Sequence, residues 1–152
     1  MKRAVSGIAT IALASLAILP LAAQAQFAKP EDAVKYRQSA LALMGAHMGR
    51  VGAMVKGQRP FDKAALEHDV AVIEMMSKLP WDAFPPGSTQ NSKAKPEVWS
   101  EPAKFKAAAE KMQSEVQKLS AAARSGDMAQ VRAAFGAVGQ SCKACHTDFR
   151  NR

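Results

Sequence analysis

Residues 128–149 read MAQVRAAFGAVGQSCKACHTDF, and this stretch decides the fold. Met128, Val131, Phe135, Val138, Cys142, Cys145 and Phe149 recur at alternating steps of three and four. That spacing lays them on one face of an α-helix. Gly126 breaks the chain before it, and Asp127 is placed to cap its first turn. The face that such a helix turns toward a core therefore carries two cysteines.

Those cysteines belong to Cys142-Lys143-Ala144-Cys145-His146, the Cys-x-x-Cys-His pattern that attaches c-type haem. Cys142, Cys145 and His146 stand at i, i+3 and i+4, so two thiols and an imidazole address one porphyrin from one side. The thiols add to the haem vinyl groups and the imidazole becomes an axial iron ligand. A thioredoxin-like pair would want a strand before the motif and thiols at a helix start. A structural zinc site would need four ligands, and no second cysteine pair is available. With the cysteines at core positions, the haem is expected inside the bundle.

Three more helices are expected upstream. The first, Pro30–Lys56, carries Val34, Leu41, Met44, Met48, Val51 and Val55 on one stripe, with Glu31 and Asp32 in its first turn. Asp62 can cap a second, striped by Leu66, Val70, Ile73 and Met76 and ending at Pro80. Ser100 is expected to cap a third, with Phe105, Ala109, Met112, Val116 and Leu119 inward. Between them, residues 80–102 form a long irregular segment with five prolines and the aromatics Trp81, Phe84 and Trp99. Connections of that length are often functional. These aromatics pack either on a haem edge or simply over a bundle end. Short turns between the first two and the last two helices favour antiparallel neighbours. The fold class is all-α: an antiparallel four-helix bundle with covalent haem inside it.

The N-terminus predicts a cleaved secretory signal peptide, residues 1–25. Lys2 and Arg3 are its charged start, Ile8 to Leu19 its apolar centre, and Ala23-Gln24-Ala25 its A-x-A cleavage site. The apolar run is short for a bilayer span and is followed by Pro20. Residues 26–152 then form one haem domain, with no membrane contact after cleavage and a periplasmic location. Removing Lys2 and Arg3 lowers the net charge from +8 to +6. Such a surface can steer an acidic redox partner. The basic residues are scattered among Ala, Gln and acids, so nucleic acid is not expected.

Only six residues follow His146 and none is Met, so any sixth iron ligand must come from upstream. In this the chain differs from small cytochromes with an N-terminal motif. It resembles instead cytochrome c′, the four-helix class II c-type cytochromes of bacterial periplasms. The resemblance rests on Tyr36-Arg37-Gln38-Ser39-Ala40-Leu41, Leu79-Pro80-Trp81 with Phe84, Pro96-Glu97-Val98-Trp99-Ser100, and the haem motif followed by Phe149-Arg150. It implies one covalent haem c per chain on Cys142 and Cys145, with His146 as the axial ligand. It places Arg150 on the proximal side, Leu41 over the distal iron face, Arg37 and Gln38 near the haem propionates, and Trp81 and Phe84 in the pocket wall. It also implies a homodimer through the first helix. Residues 87–95 supply no site by this route.

Three functions compete. A Leu side chain has no lone pair for iron, so Leu41 over the sixth site implies five-coordinate, high-spin iron that binds nitric oxide and carbon monoxide and can exchange electrons. An apolar distal pocket offers no donor to stabilise bound dioxygen. A low-spin electron carrier with Met44 or Met48 as axial ligand is the alternative, although a buried Met is commonly packing. An enzyme, such as a peroxidase, would want a distal acid–base residue, which the first stripe lacks. His47 lies six residues after Leu41, about 240° around the helix, and is expected at a surface or interface.

Overall fold

Helix boundaries follow local chemistry. In the computed structural model, which describes residues 26–152, α1 (Pro30–Val55) starts with proline in its first turn and with Glu31 and Asp32 against the helix dipole. The expected leader, 1–25, lies outside the described residues. Helix α2 (Lys63–Met76) is capped by Asp62, whose Oδ1 accepts from Ala65 N–H at 3.1 Å. A 3-10 turn (Trp81–Ala83) and a single helical turn, α3 (Glu97–Ser100), punctuate the long connection. Helix α4 (Pro102–Ser125) ends at Gly126, whose φ of 73° favours glycine. Asp127 then caps α5 (Met128–Phe149) by accepting from Ala129 and Gln130 N–H.

One boundary differs from expectation. Ser100 does not cap α4; it belongs to α3, and Glu101 precedes α4 without a side-chain cap bond. The cause is Pro102, whose ring disfavours helical geometry in the residue before it while suiting the first helical turn itself.

The four long helices close an antiparallel bundle in which α1 packs on α2 and α5, and α4 on α2 and α5. Its core joins Val51, Leu66, Ile73, Val116, Leu119 and Val131, each fully buried. Helices α1 and α5 meet where Gly52 lies under the Phe135 ring; a Cβ at Gly52 would come within 3.0 Å of Phe135 Cζ. Two predicted stripe residues of α1, Leu41 and Met48, are only partly buried. Both face a cavity that separates α1 from the end of α5.

His47 is not at the surface. It is buried, and its Nδ1 lies 2.7 Å from Oδ1 of the equally buried Asp69 on α2. The angular reading correctly turned it away from Leu41, but α2 covers the face it turns toward.

Candidate haem site

The cavity measures about 590 Å³ and is enclosed by α1, the connection, α4 and the end of α5. This is a usual size for a cofactor cleft. Leu41, Met44 and Met48 form its α1 wall, while Cys142, Cys145 and His146 face it from α5. Arg37, Gln38, Trp81, Phe84 and Arg150 also line it, so every site residue that the resemblance implies reaches one space, while Trp99 does not line it.

Four aromatic rings form a continuous wall. Phe105 stands edge-on to Trp81, Phe84 and Phe149, with centroids 5.7, 4.8 and 5.2 Å away. The Trp81 indole N–H donates to the Ser77 carbonyl at 2.6 Å, which fixes the ring at the mouth of the connection. Trp99 has a different task. Its indole N–H donates to the carbonyls of Phe84 and Pro85, tying the connection to itself.

Arg37 and Gln38 line the cavity with their donors turned into the connection. Arg37 Nη1 donates to Ala83 O and Ser88 Oγ, and Nη2 donates to Ser88 O and Ser92 Oγ. Of the five guanidinium N–H groups, the Nε–H is left over. Gln38 Nε2 donates to Asn91 O at 2.8 Å. Sequence reasoning named no residue in this segment, yet Ser92, Lys93 and Ala94 line the cavity. Their backbone is strapped to the end of α5: Lys95 N–H donates to Phe149 O, and Asn151 N–H donates to Lys93 O.

The donor set suits a covalently held haem. Both cysteines are free and half-buried, and both face a largely apolar space. Burial pushes the Cys142 thiol up; burial, then Cys142 and Asp148, push Cys145 to about 11. Partial burial, with the positive charge of Arg150, lowers the His146 pKa. It therefore favours the neutral imidazole, which is the form that ligates metal. Among the described residues no cluster of three or more His, Cys, Asp or Glu could hold a bare metal ion.

Comparisons with known proteins agree with this geometry. The family model described as Cytochrome C' matches residues 32–150. Cytochrome c' of Alcaligenes xylosoxydans xylosoxydans is 55% identical over 127 residues, which cover 84% of this chain and 99% of that protein. Two solved structures from Alcaligenes xylosoxidans superpose with a TM-score of 0.79 at 53% identity. One is a nitric oxide complex of a leucine-to-alanine variant, covering 84% of this chain and 99% of that one. The other is a carbon monoxide-bound leucine-to-glycine variant, covering 84% and 100%. With the motif, the bundle and the cavity in agreement, this chain belongs to the cytochrome c′ family and carries covalently bound haem c.

Proposed function

We propose that this chain is a periplasmic haem protein whose five-coordinate iron binds nitric oxide and carbon monoxide and can exchange electrons. The observation that carries the proposal is the α1 wall: Leu41 lies in the cavity opposite the motif helix and has no atom able to ligate iron. Bound in this cavity, haem iron supplies a site for small gases and a one-electron couple.

The chain's own residues do the rest. Cys142 and Cys145 would tether the group, and His146 would hold the iron from the α5 side. Arg150 sits one helical turn beyond His146, and its N–H donates to the His146 carbonyl at 3.2 Å. Its fixed charge would tune the imidazole from the proximal side. Leu41 would cover the distal side, so that an entering gas displaces an apolar side chain. Arg37 and Gln38 would stand at the propionate edge, Arg37 through its remaining Nε–H, while holding the connection closed. Trp81 and Phe84 would form the wall beside them. None of these distal residues supplies an acid–base group, which argues against peroxidase chemistry.

The proposed periplasmic location is supported by the leader expected at 1–25 and by the motif's need for attachment outside the cytoplasm. No helix among the described residues is long and apolar enough to cross a membrane. A homodimer through α1 is supported by Leu43, which leaves half its surface exposed on that helix.

A second reading keeps one observation in its favour: Met44 and Met48 also line the cavity. Met44 is 8% exposed and joins the continuous core of the bundle, which supports packing as its role. Optical and paramagnetic spectra of the holoprotein decide between the two. High-spin ferric iron with ready carbon monoxide uptake after reduction is expected. A low-spin spectrum with a thioether signature would establish the electron-carrier alternative.

A further inference from the structure

The outer flank of the α5 terminus carries a second concavity, of about 700 Å³. It shares Gly139, Cys142, His146 and Arg150 with the haem cavity, so it opens onto the residues that would hold the haem. Four cations line it, Lys95, Lys143, Arg150 and Arg152, and no Asp or Glu does. Elsewhere the lysines are commonly neutralised, as in Lys63–Glu67, Lys104–Glu101 and Lys111–Glu115. Among the described residues, none of the four groove cations pairs with an acid. The nearby Asp148 bears on Lys104 and Cys145 instead.

The charges also sit on a stiff base. Lys95 N–H donates to Phe149 O at 3.0 Å, and Lys95 Nζ donates to Thr147 O at 2.8 Å. The long connection and the chain terminus thus present one surface. A cluster of like charges held this way repels itself, and an oppositely charged partner relieves that repulsion.

We infer that this groove is the docking surface for the acidic face of a one-electron donor protein. The inference rests on the proposed haem chemistry, because the groove matters for electron transfer only if His146 and Cys142 hold the redox group. Docking there brings the donor against the residues that attach the haem. One electron passes from the partner's reduced centre to ferric iron; the partner is oxidised, the iron is reduced, and no bond forms or breaks. The cations also attract the partner before contact, over roughly a Debye length of 8 Å at physiological salt.

The test uses holoprotein and, as probe, a reduced acidic plant-type ferredoxin, a strongly reducing one-electron carrier. Anaerobic stopped-flow gives the bimolecular rate of haem reduction at low and high salt. The groove variant is K143E with R152E; Arg150 and Lys95 are spared because they touch His146 and Thr147. The control is K56E with R59E, an identical change in net charge at the opposite end of the bundle. The groove variant is expected to slow reduction about tenfold or more at low salt, with the difference disappearing at high salt, while the control changes it less than about twofold. Equal slowing by both variants, or no slowing by the groove variant, overturns the inference. Carbon monoxide binding is followed in parallel and should be the same in the groove variant and the wild type. A wild type that binds no carbon monoxide would count against the proposed gas-binding function, while the rate comparison would still decide the groove.

Discussion

Arg37 and Ser88 are joined twice: Nη1 donates to Ser88 Oγ at 2.8 Å, and Nη2 to the Ser88 carbonyl at 2.6 Å. The same guanidinium lies over the Phe84 ring, 4.4 Å from its centroid, and is 2% exposed. A residue of α1 therefore holds the long connection against the cavity. Burial draws its pKa below the ordinary arginine value, yet a guanidinium this basic stays charged.

Arg37→Ala should accordingly release the connection while leaving the bundle assembled. The expected loss is about 2–4 kcal/mol, since charged hydrogen bonds are removed and buried acceptors are left without donors. Arg37→Lys should recover less than half of it, because one ammonium cannot reproduce a fork that reaches Ala83, Ser88 and Ser92 together. Urea midpoints measure the loss, and amide exchange at residues 83–92 locates it. Unchanged exchange there would show that the connection holds without Arg37.

His47 and Asp69 form a second buried polar contact, between α1 and α2, with Arg50 Nη1 3.5 Å from the same carboxylate oxygen. Removing one partner strands the other. Asp69→Leu alone and His47→Leu alone should each cost about 3 kcal/mol. The double replacement should lose well under the sum of the two single losses, because neither group is then stranded, with a coupling of about 1–3 kcal/mol in a double-mutant cycle. Additive losses would show that the pair contributes no coupling.

Much of this architecture could be read in advance because its signals are local. Asp62 and Asp127 cap helices by reaching backbone N–H groups within three residues. Cys142, Cys145 and His146 share a face by helical spacing alone. What depended on distant neighbours was not legible. Ser88 and Ser92 look like ordinary loop serines, and their role exists only because Arg37 arrives from more than fifty residues away. The burial of His47 depends on a distant neighbour too, since a helical angle gives a direction and does not say which helix covers it. The Ser100 boundary differs for a local reason: Ser100 is a good capping residue, but Pro102 two positions later sets the start of α4.

Asp127 predicts an acid-dependent effect. Its carboxyl is held below the ordinary aspartate value by N–H donors from Gln130 and Ala129, and then by the Gln130 side chain. A pKa lowered on folding means that the unfolded chain binds the proton more tightly. The cap's contribution is therefore complete above the unfolded aspartate value of about 3.9 and is lost as pH falls through the folded value. Asp127→Ala should be less stable than wild type at neutral pH, and the gap should close in increasingly acidic buffers. A gap independent of pH would mean that the carboxylate's ionisation does not matter to the cap.

The thiols predict separable attachments. Cys145→Ser should leave a single thioether through Cys142, so haem colour stays with the polypeptide in acid acetone while the alkaline pyridine spectrum shifts to that of one remaining vinyl group. Replacing both cysteines should make the haem fully extractable. Retention of colour in the double variant would show an attachment elsewhere.

Leu41 offers the sharpest test of the proposed function. Its side chain is partly buried and packs against the core from the cavity wall. Leu41→Ala should cost about 2–5 kcal/mol, the range for truncating a packed leucine. Over the same change, carbon monoxide and nitric oxide should bind faster, since an entering gas no longer has to displace a packed side chain. Leu41→Met should instead bring a thioether to the sixth position and convert the iron to low spin. Met44→Leu provides the complementary control: if Met44 only fills the core, this near-isosteric change leaves spectrum and gas binding unchanged and costs less than about 1.5 kcal/mol. A wild-type low-spin spectrum that turns high spin in Met44→Leu or Met48→Leu would make that methionine the ligand and Leu41 a bystander.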